Sequence, residues 1–297
     1  MGGAPPSVGD PVRGSPLAAR GECEPGVPMT RPTPHPTVAA AVEAARAAGE
    51  IALRYYRGGF EVTIKADHTP VTQADREAEQ AVTAVLARAF PDHGVLGEEF
   101  GQRGPTDRRW IIDPIDGTQN FVRRIPLWAV LIALEEHGEI TTGVVLNPVS
   151  GELLTARKGE GAFAGDERLR VSALDRMRDA LVLHSGLRLV RNTAHWDGLV
   201  RLVDAGARTR GFGDYYGYCL VARGQAEIYA ELDLKIWDWA PMKILVEEAG
   251  GRVTDFAGRP PGPDGTILAT NGCLHDEAVR LLTPLAGDRV PGGPVAT

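Results

Sequence analysis

From Thr37 to Arg57 small apolar residues recur between Glu43, Arg46, Glu50 and Arg54, without an internal proline, and the run stops at Gly58-Gly59. That spacing predicts an amphipathic helix with a glycine stop. Phe60 to Ile64 alternates like a short strand, and the loop Lys65 to Pro70 leads through Val71 to a second helix, Thr72 to about Phe90. Val95-Leu96 reads as a short strand, Arg103 to Arg109 as a polar loop, and Trp110 to Ile112 as a buried strand. Strands then dominate: Leu127–Leu134, a turn at His137-Gly138, Thr142–Leu146, Leu153–Ala156 and Gly161–Ala164, ending near Val171. A second half opens with a strand at Ala180–Leu183. It continues with helices at His195–Asp204, Tyr215–Ala222, Trp239–Ala249 and Asp276–Leu282, and strands at Ala226–Glu231 and Arg252–Asp255. Helices laid on sheets without strict βαβ alternation predict an α+β layered fold or sandwich.

The candidate chemistry concentrates in Trp110-Ile-Ile-Asp-Pro-Ile-Asp-Gly-Thr-Gln-Asn-Phe121. Asp113 and Asp116 lie at a strand end, Pro114 turns the backbone, and Gly117-Thr118 opens a helix. Carboxylates suit a hard cation such as Mg²⁺, and a helix mouth suits a phosphate. The plainer reading is a strand followed by an Asp-Pro turn. Acidic residues recur beside turns upstream, in Gly97-Glu98-Glu99, and downstream, in Trp237-Asp238-Trp239-Ala240-Pro241.

Together with Val71-Thr72-Gln73-Ala74-Asp75 and Glu247-Glu248-Ala249-Gly250-Gly251, these segments, in this order, resemble the signature of the inositol monophosphatase superfamily of Mg²⁺-dependent phosphatases, from about Val38 to about Leu282. The resemblance implies the layered αβαβα sandwich of the inositol monophosphatase and sugar phosphatase type. It implies two or three Mg²⁺ per site, with Li⁺ as an inhibitor, and a homodimer. Glu98, Asp113 and the Ile115 carbonyl would hold an activating metal, and Asp113, Asp116 and Asp238 a second, so that Asp113 bridges. Asp75 would contact Thr118, and with Glu98 beside them the two would orient and deprotonate the attacking water. Lys65 would lie close by. Gly117 and Thr118 would offer backbone N–H groups to the phosphate, and Asp238 and Glu231 would face the substrate, Glu231 at a leaving-group hydroxyl or amine.

Plainer roles compete at several of these positions. Thr72-x-x-Asp75 fits a capping box, Asp238 fits a helix N-cap, and Glu99 is an alternative to Glu98. Glu79, one turn beyond Asp75 on the same face, reads either as a residue supporting the ligands from behind or as solvated. His184 reads as a core-edge residue and Tyr55-Tyr56 as helix packing. The leaving-group side departs from the inositol enzymes: where those carry small residues, this chain reads Gly211-Phe-Gly-Asp-Tyr-Tyr-Gly-Tyr218. A carboxylate among aromatic rings attracts an ammonium or imidazolium. The pattern Gly213-Asp214-x-x-x-Tyr218 followed by Leu220-Val221-Ala222-x-Gly224 resembles the histidinol-phosphatase branch. L-histidinol phosphate is therefore the expected substrate, with inositol-1-phosphate or another polyol phosphate as the alternative. Asp214 as a mere helix N-cap, and the whole chain as a catalytically silent metal-binding regulator, are the non-catalytic readings.

Composition changes little. Of 297 residues 43% are hydrophobic and 24% charged, and a net charge of −7 favours neither nucleic acid nor an anionic membrane as partner. Cys23, Cys219 and Cys273 are widely spaced, which argues against a zinc site or a disulfide framework and for a reducing cytoplasm. Residues 1–35, rich in Gly and Pro, are expected to be a disordered extension, with Met29 as a second candidate start. Residues 36–285 would form the phosphatase domain, in coupled halves of about 36–175 and 176–285, and residues 286–297 a flexible tail.

Overall fold

A computed structural model describes residues 34–59, 62–64 and 70–288, with the backbone alone described at 62–64 and 70–72. Most of the expected N-terminal extension and C-terminal tail, and Lys65, lie outside the described residues. The helices are α1 (Pro36–Gly58), α2 (Gln73–Ala89), α3 (Thr118–Val122), α4 (Leu187–Val190), α5 (Trp196–Ala205), α6 (Asp214–Ala222), α7 (Ile236–Glu248) and α8 (His275–Leu282). The strands of the first half are β1 (Val62–Ile64), β2 (Pro70–Thr72), β3 (Gly94–Gly97), β4 (Gly101–Arg103), β5 (Arg108–Asp116), β6 (Ala129–Glu136), β7 (Glu139–Asn147), β8 (Glu152–Arg157), β9 (Gly161–Ala164) and β10 (Glu167–Arg168). The second half adds β11 (Leu181–His184), β12 (Arg208–Arg210), β13 (Ile228–Glu231), β14 (Arg252–Thr254) and β15 (Ile267–Thr270).

Two large sheets carry the architecture. An eight-stranded sheet runs in the order β10-β9-β8-β7-β6-β5-β3-β4, and a five-stranded sheet in the order β12-β11-β13-β15-β14; β1 and β2 form a separate hairpin. Three hydrophobic clusters separate the layers. Ala44, Ala48, Val82 and Leu86 of α1 and α2 pack on Trp110, Ile112, Val130, Ile132 and Val144 on one face of the large sheet. Leu131, Val145 and Leu154, on its other face, meet Tyr218 and Val221 of α6 and Met242 and Leu245 of α7, which also cover Leu183, Tyr229 and Ala269 of the small sheet. The far face of that sheet, with Val182, Ile228, Ala230 and Leu268, packs on Leu199, Leu202, Ala278 and Leu282 of α5 and α8. The result is an α+β fold in five layers, αβαβα. Because both faces of β6 are covered, Ala129 to Leu134 reads as a continuous apolar run, with alternate residues serving opposite layers.

The structure corrects several element boundaries. The polar loop expected at 103–109 is shorter, because β4 ends at Arg103 and β5 begins at Arg108. Strands β12 and β15 emerge from stretches without a strand pattern: Arg-Thr-Arg at the sheet edge, and a four-residue apolar segment after a Gly/Pro-rich turn. Helix α7 starts at Ile236, not at Trp239, with Pro241 inside it. This helix lies against β7 because position 143 is glycine: a Cβ there would stand 2.5 Å from Ile244 Cγ2 and 2.9 Å from the Pro241 carbonyl oxygen. Gly143→Ala is therefore expected to destabilise the fold by about 1–3 kcal/mol through overpacking. A thermal melt with Tm equal to wild type would refute this account of the α7 seat.

Candidate active site

The site begins with an irregularity in β5. Asp113 pairs with Leu131 of β6 and Asp116 with Ala129, so three steps along β5 match two along β6. In a regular strand residues three apart face opposite sides. The bulge, at Pro114-Ile115, puts Asp113 and Asp116 on the same side as Leu131 and Ala129, toward the middle helical layer. Proline fits there because it cannot donate to the ladder. The turn closes locally, with the Ile115 N–H donating to Asp113 Oδ1 at 2.9 Å. The Thr118 hydroxyl donates to the Ile115 carbonyl at 3.0 Å. Gly117 follows with φ 79°, a left-handed conformation that glycine takes without steric cost.

Asp238 arrives on the first turn of α7. It is not the N-cap; that is Lys235, whose N–H donates to Asp238 Oδ2 at 2.7 Å. Carboxylate oxygens of Asp113, Asp116 and Asp238 all lie within 4.8 Å of one another. Asp116 Oδ2 also accepts from the Tyr215 N–H of α6 at 2.8 Å. Glu98 opens the three-residue turn between β3 and β4, half-buried, with its N–H on the Ile112 carbonyl at 3.1 Å. Asp75 is buried on α2.

Electrostatics tie these acids into one cluster. Burial pushes the Asp113 carboxyl well above its ordinary range, followed by the charges of Glu98, Asp116, Asp238 and Asp75. Burial does the same at Asp116, with Asp214 and Asp238 next and the Tyr215 N–H opposing. Asp238 is pushed up to about 7, chiefly by burial, against the opposing pull of the Lys235 N–H. So many mutually repelling carboxyls, buried at this range, fit a site for divalent cations: oxygen-only donors around hard ions.

The second half supplies the far wall. Asp214, the first residue of α6, is not the N-cap either; Gly213 holds that position. Asp214 has φ 58°, and its Oδ2 accepts from Asn120 Nδ2 at 3.0 Å. That oxygen also lies 3.2 Å from where a Cβ on Gly117 would stand. Glu231, at the end of β13 and on the same face as Tyr229, accepts from the Asp214 N–H at 3.3 Å. Burial pushes Asp214 up to about 6, and burial followed by the Asp214 charge pushes Glu231 up to about 8. Every expected site residue within the described part of the chain thus falls in one region. The Thr72 side chain lies outside the described residues.

One residue of this region carried no signal strong enough to single it out. Asn120 bridges Asp214 and the Leu127 carbonyl, the latter at 2.8 Å, and its acidic partner is 94 residues away. Glu79 is buried rather than solvated, and its carboxylate accepts from the N–H groups of Glu99 and Phe100. Burial raises its pKa, and those two N–H groups oppose the rise. Tyr55-Tyr56 is packing in part, as expected: Tyr56 lies against Phe121 and Trp128.

Comparison with known proteins agrees with this geometry. Residues 33–286 match the model of the inositol monophosphatase family. The histidinol-phosphatase of Mycobacterium tuberculosis is 44% identical over 227 residues, covering 74% of this chain and 87% of that protein. The inositol-1-monophosphatase of Rhizobium meliloti is 40% identical over 220 residues, covering 71% and 82%. Among solved structures, the extragenic suppressor protein suhB of Bartonella henselae superposes with a TM-score of 0.79 at 36% identity, covering 84% of this chain and 98% of that one. The chain belongs to the inositol monophosphatase family, whose members are metal-dependent phosphatases.

Proposed function

We propose that this phosphatase hydrolyses L-histidinol phosphate to L-histidinol and phosphate, with Mg²⁺ as its cation and Li⁺ as an inhibitor. The observation that carries the substrate is the position of Asp214, an acid set against the Asp-Gly-Thr turn beside Glu231. A phosphate seated at Gly117 leaves its alcohol facing those two carboxyls. An amino alcohol bearing an imidazole supplies the positive charge they attract. The relationship to histidinol-phosphatases supports the same reading. Inositol-1-phosphate is the second reading, favoured by the bond from Asn120: a carboxylate already held by an amide serves the fold without meeting a cation.

When bound, Mg²⁺ would offset the carboxylate charge, polarise the phosphoryl oxygens and make a water acidic. Asp113, Asp116, Asp238 and Glu98 would hold it, with the Ile115 carbonyl. Thr118 and Asp75 would orient the attacking water and take its proton. That water's oxygen forms a bond to phosphorus as the phosphorus–ester oxygen bond breaks, and the alcohol leaves with a proton. Gly117, without a side chain, would let the backbone approach the phosphate.

Asp113→Asn should cut kcat/KM by about three orders of magnitude, since several kcal/mol of charge stabilisation depends on that carboxylate. A folded variant with wild-type Mg²⁺ binding by calorimetry would sink the bridging role. The raised carboxyls also set a pH dependence. Asp214, Asp238 and Glu231 sit at about 6, 7 and 8 against ordinary values of 3.8, 3.8 and 4.5. With chelator present, the folded state holds protons that the unfolded chain has released, so stability falls as pH rises from about 4 to about 8. Mg²⁺ should then raise Tm more at the alkaline end of that window than at the acid end. An equal Mg²⁺-induced shift at both ends would count against the cluster as the cation site.

Asp214→Asn tests the substrate. Turnover of histidinol phosphate should fall by roughly one to two orders of magnitude, the worth of a charge-assisted pair of about 1.5–3 kcal/mol. Turnover of inositol-1-phosphate should hold. Equal losses on both esters would return Asp214 to a structural role and the polyol phosphate to the lead.

A further inference from the structure

Glu79 is 1% exposed, and neither the cation site nor the substrate reading uses it. Its carboxylate accepts from two consecutive backbone N–H groups, Glu99 at 2.7 Å on Oε2 and Phe100 at 3.2 Å on Oε1. Those residues form the turn that Glu98 opens. Strand β4, on the far side of the turn, is the edge of the large sheet and, among the described residues, pairs with β3 alone, over three residues. The sheet therefore holds the β4 side of the turn through a single neighbour, whereas on the β3 side the Glu98 N–H also meets the Ile112 carbonyl. Glu79 supplies a further anchor, from α2. The space it occupies is kept open by glycine: a Cβ on Gly97 would stand 1.9 Å from Glu79 Oε1. Glu79 also lies one helical turn from Asp75, so a single face of α2 carries both residues toward the cluster.

We propose that Glu79 is a positioning residue: its carboxylate clamps the β3–β4 turn through two N–H groups and so fixes where Glu98 presents its own carboxylate to the cation. The proposal rests on Glu98 being a cation ligand. Glu79 is outside the proposed cation and substrate set, so its loss should act through affinity for the cation more than through the chemical step. Glu79→Gln keeps the volume but replaces one acceptor oxygen with a donor facing an N–H. Glu79→Asp keeps the charge but withdraws the carboxylate by one methylene.

Mn²⁺ binding to the full chain, followed by electron paramagnetic resonance, reads the effect directly. Both variants should weaken the Glu98-dependent site by about tenfold, the loss of one charge-assisted hydrogen bond. Activity at saturating Mg²⁺ should change less than the Mg²⁺ concentration that half-activates. Gly97→Ala, which displaces the same carboxylate, should reproduce the pattern. The deciding comparison is the cycle with Glu98→Gln: if Glu79 acts through Glu98, Glu79→Gln/Glu98→Gln binds Mn²⁺ no worse than Glu98→Gln alone. Additive losses, or wild-type Mn²⁺ affinity in folded Glu79→Gln and Glu79→Asp, overturn the clamp. Wild-type protein that binds no Mn²⁺ at the cluster overturns instead the cation reading on which it rests. Melts in chelator confirm that each variant is folded.

Discussion

Carboxylate repulsion is the constraint around which this structure is arranged. Asp113, Asp116 and Asp238 have oxygens within 4.8 Å of one another, the first two buried and Asp238 half-buried, a setting where like charges interact far more strongly than in water. No chain would leave three such groups to find their own positions. Each is held by a backbone N–H on one oxygen: Ile115 for Asp113, Tyr215 for Asp116, Lys235 for Asp238. These donors come from the β5 bulge, the start of α6 and the start of α7. The cluster is thus a meeting point of all three elements, and the middle helical layer cannot shift without disturbing it. The apolar packing of α7 on β7, tight enough to require Gly143, gives that meeting point its rigidity.

Much of this was legible in the sequence because it is local. The helix of residues 36–58 follows from alanine spacing and a glycine stop, and the Asp-Pro-Ile-Asp-Gly-Thr turn from residue types whose backbone preferences are strong. The three acidic segments announced themselves by their order along the chain. What the sequence withheld is what depends on distant partners. β12, Arg-Thr-Arg, has no apolar pattern and is a strand only because β11 lies beside it. β15 is a short apolar run whose role in the small sheet is set by β13 and β14. Asn120 looks like an ordinary helix-surface residue until Asp214, 94 positions away, comes to rest on it, and Glu79 showed its place one turn from Asp75 but not the turn 20 positions away that it holds. Asp238 was visible as a site residue, but its place inside the first turn of α7 was hidden by Pro241, which argues for a later helix start.

The two walls of the site differ in how they are built. On the first half, glycine does the accommodating: Gly97 leaves room for a buried carboxylate, and Gly117 takes a left-handed turn at no steric cost. On the second half, an aspartate sits at φ 58°, where glycine would be at ease and a branched residue would be strained. The cost is offset by contacts on each polar group of Asp214. Its N–H donates to Glu231, its carbonyl accepts from the Tyr229 hydroxyl at 3.4 Å, and its carboxylate accepts from Asn120.

A residue held at that many points has little freedom left to adjust to a ligand. Its carboxylate oxygen lies where it lies before any substrate arrives, against Gly117 and beside Glu231. Such fixed placement reduces the ordering cost that binding would otherwise incur. On the proposed substrate reading, discrimination at this wall would depend on charge more than on fit. A flexible pocket reshapes itself around either a polyol or an amino alcohol. A fixed acid pair cannot, so on that reading the two leaving groups would meet the same geometry and differ only in whether they bring a positive charge to it. Since Asn120 stands on α3, after the Asp-Gly-Thr turn of the first half, and Asp214 on α6 of the second, the bond between them also couples α6 to that turn. Displacing one displaces the other, so on the proposed reading leaving-group recognition and phosphate placement would share a single frame.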